Sequence, residues 1–111
     1  MNGTFSTDST VNATPLRLDS ALSAQIQVLG DALRAKGWSV SSAESCTGGG
    51  IAFAFTSVSG SSDWFNQSWV TYSNSAKQSR LGVTEQTLVE YGAVSQQTVK
   101  EMADGVRRNS G

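Results

Sequence analysis

The chain has 111 residues, of which 38% are hydrophobic and 15% are charged, and its formal net charge is −1. This length allows one domain at most, and the near-neutral charge is not typical of a nucleic-acid-binding protein. The chain has no histidine and a single cysteine, Cys46, which excludes a Ser-His-Asp site, a Cys-His site and a disulfide within it. A Cys-based metal site is excluded as well, and we expect neither a metal nor another cofactor.

Targeting signals are absent from the sequence. It has no basic segment followed by an apolar core, and no apolar run near the roughly 20 residues that cross a bilayer. We therefore expect a cytoplasmic protein without a membrane partner. Residues 1–17 are rich in Asn, Ser and Thr and contain the only proline, which predicts a disordered tail ahead of one domain at residues 18–111.

The first predicted element of the domain is an amphipathic helix. Asp19 or Ser20 begins it, since either side chain can accept a backbone N–H at a helix start. Apolar residues then recur at spacings of four, three and four and form one stripe: Leu22, Ile26, Leu29 and Leu33. Gly37 suits the left-handed stop after a helix. Gly30 lies inside the helix, where it either allows close packing or weakens the helix.

A strand, a glycine-rich turn and a second helix follow. Residues 38–44 predict a buried strand, residues 45–50 the turn, and residues 51–55 an apolar helix. Backbone N–H groups at such a turn converge at the positive end of a helix, which suits a phosphate. The turn lacks the lysine of a P-loop, however, and tight packing of helix against strand explains its glycines equally well. Glu44, at the end of the strand, is expected to be exposed or salt-bridged.

A second strand and three short helices complete the predicted elements. Residues 65–72 are rich in aromatic and β-branched side chains, which is typical of a strand. The helices begin near Ser73, Thr84 and Ser95, and the first two stop at glycines. The last helix has one apolar face, formed by Val99, Met102, Ala103 and Val106. Because two strands make a marginal sheet and this face has few partners, we expect further strands to complete the fold.

The segment from Gly60 to Lys77 carries the groups of a hydrolase that works without histidine. A serine hydroxyl becomes a nucleophile when a base takes its proton, and a buried, uncharged lysine can be that base. Ser62, Tyr72 and Lys77 supply a nucleophile, a relay or orienting group and a base, and backbone N–H groups near Ser62 can stabilise an oxyanion. A capping serine, a core tyrosine and a solvated lysine explain the same residues without catalysis, so spacing alone leaves both interpretations open.

Several sequence blocks together resemble a known family. They comprise residues 43–49 (A-E-S-C-T-G-G), 60–65 (G-S-S-D-W-F) and 70–77 (V-T-Y-S-N-S-A-K), and they continue through 81–83, 91–95 and 102–103. From about residue 20 to residue 108 the chain is similar to the CinA C-terminal domain family. The resemblance implies an α/β fold, a three-layer α/β/α sandwich around a mixed sheet. Only the N-terminal part of that fold is expected here, because the family continues beyond this length with further strands.

Members of this family look like nicotinamide-nucleotide amidases. The resemblance implies metal-free hydrolysis of the carboxamide of nicotinamide mononucleotide to nicotinate mononucleotide and ammonia, in pyridine nucleotide salvage. The catalytic Ser, Tyr and Lys of the family fall on Ser62, Tyr72 and Lys77. Since the substrate carries a phosphate, the glycine-rich turn becomes the candidate for binding it or for closing the pocket wall. The substrate-binding candidates are Ser45, Thr47, Gly48, Gly49 and, as a second polar contact, Asn74.

Two departures from the family pattern leave a second function open. Gly50 and Ser75 stand where the family has a bulkier and an acidic residue, and the family's further strands are not in this sequence. The alternative is therefore a non-catalytic nucleotide-binding or interaction module, or an inactive fragment, that keeps the scaffold. Besides a small nucleotide, the expected partner is a second copy of the chain, because an open sheet edge and uncovered apolar helix faces favour a homo-oligomer.

Overall fold

The computed structural model describes residues 18–111, so the tail predicted at residues 1–17 lies outside the described part. The predicted order of helices and strands is confirmed, with one additional 3₁₀ turn before the second strand. The elements are α1 (Ser20–Lys36), β1 (Val40–Glu44), α2 (Gly50–Thr56), the 3₁₀ turn (Ser61–Asp63), β2 (Phe65–Val70), α3 (Asn74–Leu81), α4 (Glu85–Tyr91) and α5 (Gln96–Ser110).

Short polar side chains begin most of the helices where the sequence predicts them. Asp19 accepts the N–H of Ala21 and begins α1, and Ser73 accepts the N–H of Ala76 and begins α3. Thr84 and Ser95 cap α4 and α5 in the same way. Each cap pairs a backbone N–H that has no partner inside its helix, which is why these residue types mark helix starts.

β1 and β2 form a parallel pair. Val40 lies opposite Phe65 and Glu44 opposite Val70, with an irregular register between Val40 and Ser42. Within residues 18–111 the sheet consists of these two strands alone, so each has one open edge. The second strand ends at Val70, two residues earlier than predicted.

Helices cover both faces of this sheet. On one face α1 and α2 pack over Val40 and Phe65, around a cluster centred on Ile26, Val58 and Trp64. On the other face α3, α4 and α5 pack over the two strands, around a cluster that contains Leu81, Val83, Leu88, Met102 and Val106. The α/β class and the partial sandwich are thereby confirmed. None of the helices between residues 18 and 111 is long and apolar enough to cross a membrane.

Gly30 is explained by the packing of α1 against Trp64. A Cβ atom at position 30 would lie 2.5 Å from Nε1 of the Trp64 indole. Trp64 is buried and makes an edge-on contact with Phe55, with ring centroids 5.4 Å apart. Gly30 therefore permits close packing, which was one of the two interpretations that the sequence left open.

The predicted apolar faces of the first and last helices are only partly covered. In α1, Ile26 is buried whereas Leu22 and Leu29 are exposed. In α5, Met102 and Val106 are buried, but the Val99 side chain is 60% exposed. The expectation that the last helix has too few partners is therefore confirmed for the described residues.

Candidate active site

Two chain segments meet where the parallel strands end. Glu44 and Ser45 close β1, and Thr71 and Tyr72 follow β2, with the Thr71 N–H donating to the Glu44 carbonyl at 2.9 Å. Because parallel strands end at the same edge of a sheet, both segments lie at its carboxyl edge. This is where α/β proteins commonly bind ligands.

Lys77 connects these two segments. It lies in the first half of α3, its side chain is buried with 1% of the residue exposed, and Nζ donates to Ser45 Oγ at 2.9 Å. Nζ also donates to the Tyr72 carbonyl oxygen at 2.6 Å. A buried amine within hydrogen-bond distance of a serine hydroxyl is the geometry of a nucleophile with its base.

Tyr72 contributes to this contact through its backbone. The residue is 74% exposed, and its carbonyl oxygen is the atom that meets Lys77. The relay role predicted for its hydroxyl therefore stays a prediction without a contact to support it.

Ser62 is not brought to Lys77. It lies in the 3₁₀ turn that directly precedes β2, whereas Lys77 meets the chain just after β2. At about 3.3 Å per residue, the six residues of β2 put roughly 17 Å between the two edges of the sheet. The predicted pairing of Ser62 with Lys77 is absent from the described chain because an extended strand separates them, and Ser45 takes that position.

The backbone N–H groups on either side of Ser62 are hydrogen-bonded within their own turn. The Ser61 N–H donates to Val58, and the Asp63 N–H donates to Gly60. Arg34 ties the same turn to α1 through Asp63, at 3.1 Å, and through the Gly60 carbonyl, at 2.8 Å. These donors close a structural turn at the amino edge of the sheet, and the oxyanion role of the turn stays a prediction.

Glu44 is buried, contrary to the expectation that it is exposed or salt-bridged. Only 2% of the residue is accessible. One carboxylate oxygen accepts the Ile51 N–H at 2.7 Å and the Thr47 hydroxyl at 2.8 Å. The other accepts the Ala52 N–H at 2.9 Å and the Ser68 hydroxyl at 3.0 Å. Burial raises the pKa of Glu44, but these four hydrogen bonds outweigh it and hold the pKa below the usual value.

This carboxylate changes the interpretation of the glycine-rich turn. The N–H groups of Ile51 and Ala52 lie in the first turn of α2, directly after the turn whose residues are the phosphate candidates, and the phosphate contact of those turn residues stays a prediction. Glu44 already accepts both. The turn reverses the chain through Gly48 and Gly49, whose φ angles of 59° and 99° favour glycine. It holds Ser45 beside Lys77, and this is the role that the geometry supports.

A cavity of about 380 Å³ opens beside the turn, along the edge of β1 that does not face β2. We call it the β1 groove. Its polar end is formed by Glu44, Ser45, Cys46 and Thr47. The rest of the groove is apolar and is lined by residues of β1 and α5. The alternative role of the turn as a pocket wall is therefore compatible with the structure.

The remaining predicted residue, Asn74, is the first residue of α3 and is exposed beside Tyr72. Its substrate contact stays a prediction. One buried side-chain oxygen in residues 18–111, Thr71 Oγ1, has no hydrogen-bond partner, and it belongs to the carboxyl edge as well. The same residues contain no cluster of three or more His, Cys, Asp or Glu side chains that could hold a metal ion.

Sequence reasoning missed two features of this site. The pairing of Ser45 with Lys77 joins residues 32 positions apart, which no local pattern reveals. The role of Glu44 had a signal, since an acidic residue just ahead of a glycine turn and a helix can pair the free N–H groups of that helix.

The structure belongs to the α/β class, with a parallel strand pair and, at its carboxyl edge, a buried lysine that hydrogen-bonds a half-buried serine. Comparison with known proteins identifies the family: the CinA C-terminal domain model matches residues 22–111. The chain belongs to the CinA C-terminal domain family.

Curated relatives and solved structures agree with this assignment. The chain is 60% identical over 83 residues to a nicotinamide-nucleotide amidohydrolase PncC of Enterobacter agglomerans, covering 75% of this chain and 51% of that protein. It is 51% identical over 87 residues to the Escherichia coli K12 protein of the same name, covering 78% and 53%. The crystal structure of a competence/damage-inducible protein from Agrobacterium tumefaciens is 40% identical with a TM-score of 0.80, covering 85% of this chain and 58% of that one. The chain thus spans about half the length of the curated relatives it matches.

Proposed function

We propose that the chain supplies the nucleophile and the base of an amidase that hydrolyses the carboxamide of nicotinamide mononucleotide. The observation that carries this proposal is the contact between Lys77 Nζ and Ser45 Oγ at the carboxyl edge of the sheet. The relatives named nicotinamide-nucleotide amidohydrolase support the choice of substrate. The proposal places the reaction in the cytoplasm, in pyridine nucleotide salvage.

In the proposed reaction, the Lys77 amine takes the proton of Ser45 Oγ while the oxygen attacks the carboxamide carbon. The tetrahedral intermediate collapses, and ammonia leaves with the proton returned by Lys77. Water, deprotonated by Lys77, then attacks the ester carbon, and Ser45 Oγ leaves with the proton returned by Lys77 as nicotinate mononucleotide is released. The N–H groups of Cys46 and Thr47 have no acceptor within residues 18–111, and they are the proposed donors to the oxyanion.

The substrate is proposed to enter at the polar end of the β1 groove. Ser45 and Thr47 line that end, and the groove volume lies in the range of small-molecule pockets, about 300–1,000 Å³. Asn74 and the backbone of Gly48 and Gly49 are the remaining candidates for polar contacts with the nucleotide.

Replacing Lys77 with Met tests the base. Met keeps most of the volume of the buried side chain and removes the amine, so we expect ammonia release from nicotinamide mononucleotide to fall by about 10³-fold or more in kcat. Lys100→Met is the matched control, since Lys100 is exposed and pairs with Asp104 on the surface of α5. Equal rates in the Lys77 variant and the parent chain would contradict the proposed base.

Calorimetry with nicotinamide mononucleotide, run beside the ammonia assay, separates the two functions. Binding together with ammonia release supports the amidase. Binding without ammonia release favours the alternative, a nucleotide-binding module that has kept the scaffold.

A further inference from the structure

Thr71 carries a buried hydroxyl that the fold does not use. Only 2% of the residue is exposed, and Oγ1 has no hydrogen-bond partner within residues 18–111. Burying a hydroxyl without a partner destabilises a fold, whereas a valine of nearly the same shape avoids that cost. The hydroxyl therefore indicates a role other than holding the fold together.

The register of the two strands places Thr71 opposite Ser45. Glu44 pairs with Val70, and the Thr71 N–H donates to the Glu44 carbonyl, so the pairing continues one residue beyond the strands. Neighbouring strands lie about 4.8 Å apart. The two hydroxyl-bearing residues are therefore direct neighbours at the carboxyl edge of the sheet.

Both side chains lie on the face of the sheet that α3 covers. Successive side chains of a strand point to opposite faces, and those two residues apart share a face. Ala43 and Trp69, each two residues earlier, pack against the apolar cluster on the α3 face. Lys77 comes from α3 on that same face and bonds to Ser45 Oγ. Thr71 therefore lies beside the Ser45–Lys77 pair.

The proposed reaction gives Lys77 one more N–H bond than the structure pairs. Nζ donates to Ser45 Oγ at 2.9 Å and to the Tyr72 carbonyl at 2.6 Å. Once the amine has taken the Ser45 proton, it is an ammonium with three N–H bonds. Because the residue is 1% exposed, the third N–H needs an acceptor inside the protein, and leaving a charged donor unpaired there is costly.

We propose that Thr71 is a positioning residue whose Oγ1 accepts the third N–H of Lys77 once the amine holds the Ser45 proton. The inference rests on the proposed function. In this step the Ser45 O–H bond breaks and an N–H bond forms at Lys77, while Thr71 keeps its own proton. The contact forms as the proton moves, because catalytic hydrogen bonds are often long before the reaction and tighten during it.

The experiment follows the reaction of Ser45 with a fluorophosphonate, detected by mass spectrometry of the 111-residue chain. The serine oxygen bonds to phosphorus, fluoride leaves and the Ser45 proton passes to Lys77, so the same proton transfer is tested without an amide substrate. Ser45→Ala removes the labelled oxygen and is the control for the site of labelling.

Two variants of Thr71 isolate its hydroxyl. Thr71→Val keeps the shape of the side chain, and we expect the labelling rate at saturating probe to fall by about tenfold or more, as for a lost hydrogen bond to a charged group. The half-saturating probe concentration should stay within about twofold, because the hydroxyl acts through Lys77 and not on the probe. Thr71→Ser keeps a hydroxyl and should label within about threefold of the parent.

Thermal unfolding separates this role from a structural one. Thr98 is also buried, but its hydroxyl donates to the Gly92 carbonyl at 2.7 Å. We expect Thr98→Val to lower the melting temperature, whereas Thr71→Val should melt no lower than the parent, because only Thr98 loses a hydrogen bond of the fold. Equal lowering in the two variants would overturn the proposal, since the Thr71 hydroxyl would then stabilise the fold.

The labelling outcomes distinguish this proposal from the proposed function. Equal labelling rates in Thr71→Val and the parent would overturn the role of Thr71 alone. A parent chain that is not labelled at Ser45 would overturn the role of Thr71 together with the proposed function. Labelling of the parent without ammonia release from nicotinamide mononucleotide would contradict the proposed substrate, and the Thr71 comparison would still decide this proposal.

Discussion

Glu44 shows how one buried residue organises the site. Its carboxylate accepts from both N–H groups at the start of α2, from Thr47 in the turn and from Ser68 on β2. No described cation pairs with it, so these neutral donors replace its water shell. Ser45 follows it directly in the chain, and its position opposite Lys77 depends on a turn that Glu44 holds at both ends.

Replacing Glu44 with Gln tests this role. The amide nitrogen cannot accept, so at least one N–H or hydroxyl donor in the interior loses its partner. We expect the free energy of unfolding to fall by about 2–4 kcal/mol, measured by urea denaturation. Glu90→Gln, at an exposed position of α4, is the control and should change it by less than about 0.5 kcal/mol. A Glu44 variant as stable as the control would show that the network does not stabilise the fold.

The low pKa of Glu44 predicts a pH dependence of stability. A carboxyl whose pKa is lower in the folded than in the unfolded chain stabilises the fold above its unfolded pKa, about 4.3. That stabilisation is lost as the pH falls through the lower folded pKa. Between pH 7 and pH 3, we expect the melting temperature of the parent chain to fall more steeply than that of Glu44→Gln. Glu101 and Asp104, whose pKa values are also lowered, are present in both proteins and cancel in the comparison. An equal dependence of melting temperature on pH in the two proteins would contradict the lowered pKa of Glu44.

At the scale of elements, α5 approaches α3 closely at a glycine. A Cβ atom at position 105 would overlap the carbonyl group of Leu81, the last residue of α3. Arg108 and Asn109 strengthen the same contact by donating to the Leu81 and Arg80 carbonyls at 3.0 and 3.1 Å. The two helices that carry Lys77 and the wall of the β1 groove are therefore fixed to each other at Gly105.

Gly105→Ala should separate these helices. Alanine favours a helix by about 1 kcal/mol over glycine, but the overlap is with backbone, which cannot rotate away. We expect a net loss of about 1–3 kcal/mol in the free energy of unfolding, measured by chemical denaturation. Gly50→Ala is the control, since its Cβ would meet nothing closer than Thr47 Cβ at 3.8 Å. A Gly105 variant as stable as this control would contradict the close packing.

The elements themselves could be predicted because their signals are local. Ser73, Thr84 and Ser95 cap helices through their own side chains, and Gly37 adopts the left-handed conformation that ends α1. The site could be predicted only in part, because its contacts join distant segments. The sequence offers Lys77 as a candidate base, but the hydrogen-bond partner of its amine depends on which ends of the parallel strands meet.

At the scale of the whole molecule, the two faces of the sheet are covered but its edges are open. The exposed Val99 and Val94 lie beside one such edge, and the relatives are about twice as long as the matched region. Ser45 lines the polar end of the β1 groove and accepts a hydrogen bond there from Lys77. The described residues therefore bring together the two side chains that the proposed reaction uses.

Steady-state ammonia release from nicotinamide mononucleotide by two serine variants tests the central claim most directly. Ser45→Ala removes the hydroxyl beside Lys77, and Ser62→Ala removes an exposed hydroxyl at the opposite edge of the sheet. We predict that Ser45→Ala lowers kcat by about 10³-fold or more and that Ser62→Ala stays within a fewfold of the parent. A large loss in Ser62→Ala with full activity in Ser45→Ala would contradict the assignment of Ser45 as the nucleophile.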